Sequence, residues 1–216
     1  MKANIICADC PWPFSDKLTM SKTKRGAKSQ YKTMSIKDIK ALPVKDIAAD
    51  DAVLVLWCPS SLLPEGLEVM KDWGFNFKQT HIWVKTKKPK IKALVKSIPN
   101  ILDFHSFIEF INSFLNFGMG RLFRNTHEIA LIGTRGKIYK YLEDKSQRSV
   151  HLFPSMKHSK KPELLQDMLD KMFPSSTLKV EMFARRSRSG WICIGNEAPD
   201  TIDEDIRVSL NKLINL

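Results

Sequence analysis

Short apolar runs closed by polar or turn residues alternate along this chain with segments whose apolar positions recur every three to four residues. Residues 4–8, 52–57 (AVLVLW), 80–85, 128–133, 179–183 and 191–195 read as strands. The run 52–57 is apolar without a break, as in a strand covered on both faces. The last two runs read as a hairpin turning at Arg186-Ser187-Arg188-Ser189-Gly190. Helical spacing marks 35–41, 62–73 (Leu63, Leu67, Met70) and 162–172, where Pro162 takes the first helical position ahead of Leu164, Leu165, Met168, Leu169 and Met172. Residues 201–216 read as an amphipathic tail helix. Strands and helices in alternation, joined by short connections, predict an α/β domain on a mostly parallel sheet.

Two stretches break this rhythm. Residues 17–30 hold five Lys or Arg, one Gly and four Ser or Thr, a basic loop that reads either as a solvated linker or as a nucleic-acid contact through Lys22, Lys24, Arg25 and Lys28. The second, 85–117, opens on Lys85, Lys87, Lys88 and Lys90 and turns apolar from Ile98. Ile101, Phe104, Ile108, Ile111 and Leu115 share one helical face that Phe107, Phe110 and Phe114 widen, so this helical insertion (about 87–117) is expected to cover the core or an oligomer partner.

Composition narrows the class. With 216 residues the chain makes one domain, at 1–200, followed by the 201–216 tail; 43% hydrophobic and 27% charged residues exclude disorder as its main state. Lys plus Arg (35) exceed Asp plus Glu (23) by 12, a surplus suited to a polyanionic partner. No apolar stretch approaches the ~20 residues of a membrane span, and no leader is visible, so an intracellular, cytoplasmic protein is expected. Cys7, Cys10, Cys58 and Cys193 are too scattered for a disulfide framework. Cys7 and Cys10 form a C-x-x-C without a second ligand pair, and buried thiols are expected in place of a metal site. His127-Glu128 reads as a satisfied structural pair.

Asp9-Cys10-Pro11-Trp12 closes the first strand, at the edge where open α/β sheets place ligands. A carboxylate, a proline-fixed carbonyl and an exposed indole in one turn can hold a flat aromatic amine: Asp9 and a carbonyl accept from the amine, and Trp12 or Phe14 stacks. A plain strand end followed by a Pro-rich turn has the same letters. Further along come Tyr31-Lys32-Thr33-Met34, Trp57, His81-Ile82-Trp83-Val84-Lys85-Thr86, Gly118-Met119-Gly120-Arg121-Leu122-Phe123-Arg124-Asn125-Thr126-His127-Glu128 leading into IALIGTRGK, and His158-Ser159-Lys160-Lys161-Pro162-Glu163. Glu181-Met182-Phe183-Ala184-Arg185-Arg186 and Gly190-Trp191 to Gly195-Asn196-Glu197 close the series. Lys161 at a helix start opposes the helix dipole and points to a nearby anion.

In this order the segments resemble the MT-A family of adenine N6-methyltransferases, over about residues 4–197. The family tetrad is Asp-Pro-Pro-Trp, and Cys10 replaces its second residue here; related amino-methyltransferases accept small residues at that place. The resemblance implies a Rossmann-like, circularly permuted S-adenosylmethionine-dependent fold, catalytic motif first, with helices on both faces of the sheet. It further implies that Asp9, Cys10, Pro11, Trp12 and Tyr31 hold the target adenine, and that Lys161 pairs with the cofactor carboxylate. Phe183 and Arg185 would flank the cofactor's adenosine, Asn196 and Glu197 would bind its ribose hydroxyls or adenine edge, and His158 with Ser159 would order the turn beside Lys161. No metal is implied. The expected reaction is methyl transfer to adenine N6 in DNA, with Lys87 and Lys88 joining the basic loop on phosphates. The alternatives are the same chemistry on RNA, a non-catalytic nucleic-acid-binding subunit of the same fold, or methylation of cytosine or a protein amide.

Overall fold

The computed structural model describes residues 1–13, 33–88, 92, 95–96, 98, 102–118, 122–156, 160–174 and 177–216. The basic loop with Lys22, Lys24, Arg25 and Lys28, together with Phe14, Tyr31, Lys90, His158 and Ser159, lies outside the described residues.

Among the described residues seven strands form one sheet: β1 (Ala3–Ala8), β2 (Ala48–Cys58), β3 (Asn76–Thr86), β4 (His127–Arg135), β5 (Val150–Pro154), β6 (Lys179–Met182) and β7 (Ile192–Ile194). Their spatial order is β5-β3-β4-β2-β1-β6-β7. The pairs β1–β2, β1–β6, β6–β7 and β3–β5 are parallel, and β4 runs antiparallel to both its neighbours. The α-helices that lie wholly among the described residues are α1 (Ile36–Lys40), α2 (Val44–Ile47), α3 (Leu63–Asp72), α4 (Phe104–Ser113), α5 (Leu164–Met172) and α6 (Ile206–Ile214).

Alternation along the central strands divides the core in two. Ile6, Ala8, Leu54, Leu56, Val180 and Met182 face Ile39 of α1, Val44 and Ile47 of α2, Val69 and Met70 of α3, and Leu210 and Leu213 of α6. Ile5, Cys7, Val53, Val55 and Trp57 face the other way, against Leu165 and Leu169 of α5 with Phe173, Ile138 and Trp191. Helices therefore cover both faces, which explains why β1 and β2 are apolar at consecutive positions. The C-x-x-C is split by the same geometry: Cys7 packs into one cluster and Cys10 into the other, and all four cysteines are buried and unpaired.

The structure changes three expectations. The segments at 179–183 and 191–195 do not form a hairpin; β6 and β7 pair in parallel, with Val180 opposite Ile192 and Met182 opposite Ile194. The link between them crosses back over α5: Arg188 pairs with Glu163, Asp167 and Asp170 at 3.1, 2.7 and 2.6 Å, and the Trp191 indole donates to Asp170 at 3.0 Å. Those charge-assisted contacts carry the chain back to the same sheet end, where a turn dipeptide would have reversed it. Helix α5 starts at Leu164 behind a Glu163 cap, so Pro162 precedes the helix. Helix α4 buries no residue. Of its apolar residues and those just after it, only Phe110, Ile111, Phe114 and Leu115 are half-buried, while Phe104 is 78% exposed, so this helix does not cover the core. Strand β5 was invisible in the apolar pattern because it is a five-residue edge strand whose Val150 and Leu152 remain exposed.

Candidate active site

Strand β1 has β2 on one side and β6 on the other, and these three strands run in the same direction. The chain leaves β1 toward one neighbour and returns much later to the other, which opens a crevice beyond the carboxyl ends of the strands. A shallow cleft lies there, open to solvent on one side. Its walls include Asp9 after β1, Trp57 of β2, Lys161 and Gln166 ahead of and on α5, and Glu181, Phe183 and Arg185 from β6 and the link after it.

The charged centre is a chain of four groups from four parts of the fold. Lys161 Nζ lies 2.9 Å from Asp9 Oδ2 and 3.1 Å from Glu128 Oε2, and the other Glu128 oxygen is 2.6 Å from Lys85 Nζ. The Lys161 ammonium also stands 5.5 Å from the Trp57 ring centroid, a cation–π approach. Burial alone would lower the lysine pKa, but Asp9 and Glu128 outweigh it and hold the ammonium well above the usual lysine range. Burial likewise pushes the Glu128 carboxyl up, and Lys161 and Lys85 overcome it and bring the group below its ordinary value. Glu128 is thus not paired with His127: adjacent residues of a strand point to opposite faces, and the partners of Glu128 come from elsewhere in the fold.

A second polar group lines the far wall. Gln166 Nε2 donates to Glu181 Oε1 at 3.2 Å, while Glu181 Oε2 and Gln166 Oε1 are buried without a partner. Burial raises the Glu181 carboxyl pKa against the pull of Arg186. Unpaired buried acceptors facing a cleft suit a ligand bearing N–H or O–H donors.

The wall beyond β6 is held by tight backbone geometry. Phe183 adopts φ 59°, the left-handed region, and Ala184 N–H donates to the Ile194 carbonyl at 2.9 Å. A Cβ on Gly195 would lie 2.7 Å from both the N and the O of Ala184, so only glycine allows this approach. Arg186 pairs with Glu163 at 3.0 Å and Arg185 with Glu197 at 3.5 Å, fastening the start of the link to the cap of α5 and to the segment after β7.

Four of the residues singled out in the sequence, Asp9, Lys161, Phe183 and Arg185, therefore meet in one cleft. Glu197 reaches its neighbourhood through Arg185, whereas Asn196 is exposed and outside the lining. Trp12 corrects the expectation of an exposed indole: it is 3% exposed, and its Nε1–H donates to the Trp57 carbonyl at 2.8 Å. It packs with Cys10 in the core, so its contribution is to fix the turn and the end of β2, not to stack on a ligand. The Cys10 carbonyl accepts from Trp12 N–H at 2.9 Å and the Pro11 carbonyl from Met34 N–H at 2.8 Å, leaving each a second lone pair. Lys87 and Lys88 are exposed, and the Lys87 ammonium bonds the Ser113 carbonyl at 2.9 Å, at the C-terminal end of α4. Sequence reasoning passed over Trp57, Glu128, Gln166 and Glu181 as site residues. The signal for Lys161 was its position ahead of a helix, and the anions it implied are Asp9 and Glu128.

The mostly parallel sheet, the crevice at the end of β1 and a cleft combining cations with unsatisfied acceptors define an α/β protein with a candidate ligand site at the carboxyl end of its central strands. The MT-A70 family model matches residues 3–100 and 108–197, and the chain belongs to that family. It is similar to the type II methyltransferase M.MunI of Mycoplasma sp, with 26% identity over 214 residues, 92% of this chain and 79% of the relative. It is also similar to the human N(6)-adenosine-methyltransferase catalytic subunit METTL3 (23% identity, 91% of this chain) and to an Arabidopsis thaliana N(6)-adenosine-methyltransferase MT-A70-like protein (22%, 89% of this chain). The chain spans 28% and 23% of the lengths of these two. Among the described residues no helix is long and apolar enough to cross a membrane.

Proposed function

We propose that this protein transfers a methyl group from S-adenosylmethionine to the N6 amino group of adenine in DNA. The observation that carries the reading is the Asp9–Lys161–Glu128 centre set at the end of β1, beside a cleft whose other wall holds Phe183, Arg185 and the unsatisfied Glu181 and Gln166 acceptors. The donor set fits this cofactor. Lys161 has a cation for its carboxylate, Glu181 and Gln166 have acceptors for its hydroxyl or amino hydrogens, and Phe183 has a ring for its adenine. Arg185, Glu197 and Asn196 complete the nucleoside end. When bound, the cofactor supplies a methyl group on a positively charged sulfur.

The chain's own residues then deal with a poor nucleophile, since the lone pair of adenine N6 is delocalised into the ring. Asp9 and the free lone pair of the Cys10 or Pro11 carbonyl accept the N6 hydrogens. That favours a tetrahedral nitrogen and stabilises the positive charge that develops on it. Lys161 orients Asp9 from one side while Trp12 fixes the turn from below, which is the positioning an in-line transfer requires. Replacement of the family's first proline by Cys10 leaves the acceptor geometry in place: the thiol points into the core, where burial raises its pKa well above the ordinary value. Tyr31 and the loop lysines Lys22, Lys24 and Lys28 with Arg25 are proposed to complete the adenine and phosphate contacts. DNA is favoured over RNA because the chain covers 79% of a type II methyltransferase, against about a quarter of the N(6)-adenosine relatives.

The test is transfer of a labelled methyl group to matched DNA and RNA, followed by digestion to nucleosides. N6-methyladenine in DNA is expected, and transfer only to RNA or to another base overturns the assignment. In Asp9→Ala the rate should fall by ~100-fold or more, with cofactor affinity by calorimetry within a few-fold of wild type, because Lys161 keeps Glu128.

A further inference from the structure

The tip of the loop ahead of β4 exposes two large apolar side chains: Leu122 is 89% and Phe123 83% exposed. In sequence they are bracketed by Arg121 and Arg124. The root of this loop is firmly set. Gly118 and Asn125 form an antiparallel bridge, with Gly118 N–H donating to the Asn125 carbonyl at 2.8 Å. Lys85, at the end of β3, is bonded on both sides: its N–H donates to the Thr126 carbonyl and its carbonyl accepts from Asn116 N–H, each at 2.8 Å. Three residues beyond Asn125 comes Glu128, which touches Lys161. The tip is therefore fastened to the charged centre of the site, and five residues of extended chain span at most about 17 Å.

We propose that Leu122 and Phe123 form an apolar wedge that enters the base stack of duplex DNA at the place vacated by the adenine withdrawn for methylation. The proposal rests on the reading of the site as a DNA adenine methyltransferase. A base inside a duplex cannot reach a cleft at the end of β1, so it must leave the stack, and proteins that unstack DNA insert Phe, Leu, Ile or Met between base steps. Charge selects this tip over the neighbouring apolar helix. Segment 102–118 carries Asp103 and Glu109 and no Lys or Arg, which disfavours it beside phosphates, whereas the tip lies between arginines in a chain of net charge +12.

The experiment compares wild type with the double variant Leu122→Ser, Phe123→Ser on amplified, unmethylated DNA of mixed sequence, offered native and heat-denatured. Single-stranded DNA leaves no gap to fill. The variant should lose about 10- to 100-fold in transfer to the duplex relative to the single strand, the scale of one lost base–aromatic stack. An equal loss on both forms, or no loss on the duplex, overturns the wedge while leaving the methyltransferase reading intact. Wild type inactive on both forms overturns the DNA reading and the wedge with it. Light scattering supplies the other arm: wild type dimeric and the variant monomeric, with the duplex-to-single-strand ratio unchanged, reassigns the tip to a protein interface and refutes the wedge.

Discussion

Replacing Lys161 by Met separates the binding role of this ammonium from its structural one. The substitution keeps most of the side chain's volume and removes two hydrogen-bonded ion pairs, at 2.9 Å to Asp9 and 3.1 Å to Glu128. Deleting one partner of a fully buried pair costs about 3–5 kcal/mol, because the other charge is left stranded. Here the loss is smaller: Glu128 retains Lys85 at 2.6 Å, and the Asp9 side chain is 32% exposed to water. A stability cost of about 1–2 kcal/mol follows, or a fall in Tm of roughly 2–8 °C for a chain of this size. Cofactor affinity should change far more in functional terms. A charge-assisted hydrogen bond is worth about 1.5–3 kcal/mol, so S-adenosylmethionine should bind about 10- to 100-fold more weakly. Thermal unfolding followed by circular dichroism and titration calorimetry measure the two quantities on one sample. Affinity within two-fold of wild type beside a lowered Tm would refute the reasoning and leave Lys161 a purely structural cation.

Four further outcomes are expected. Gly195→Ala should destabilise the protein by about 2–3 kcal/mol or more in chemical denaturation, because its Cβ would meet rigid backbone at 2.7 Å. Gly133→Ala should cost about 1 kcal/mol less than that, since the clash at 2.6 Å is with the flexible Met70 side chain. His81 is buried, and burial with the stacked His151 ring lowers its pKa to about 4. The unfolded chain then takes up a proton near pH 6.5 that the folded one refuses, so stability falls as pH drops from 6.5 toward 4, by up to about 3 kcal/mol. His81→Phe should flatten urea midpoints across that window, and an unchanged slope counts against the buried neutral imidazole. Trp12→Ala should reduce the folded fraction, at about 3–5 kcal/mol for a lost core aromatic, and an unfolding midpoint equal to wild type would return Trp12 to a surface role.

Much of the architecture was legible along the chain. The unbroken apolar runs that became β1 and β2 could only be satisfied by cover on two faces, and the periodic segments between and after the strands supply that cover through α3, α5 and α6. Asp9 at a strand end and Lys161 where a helix dipole disfavours a cation were local anomalies, and anomalies survive in a one-dimensional reading because local preference alone does not explain them. What lay opposite each residue was not legible. Asp9 and Lys161 are 152 positions apart, and no local pattern names a partner at that distance. Glu128 looked satisfied beside His127, yet neighbours in a strand point to opposite faces, and its true partners come from β3 and the approach to α5. Trp12 showed as an indole after two turn residues, and only the end of β2, with the Trp57 carbonyl in reach, turned it into the core. The parallel β6–β7 pair was hidden for the same reason: the acidic face of α5 holds Arg188 and directs the link, while the link's own letters read as a turn. Side-chain periodicity follows from the local backbone and is written in the sequence; the identity of the group across the interface depends on which elements pack together, and tertiary structure alone decides it.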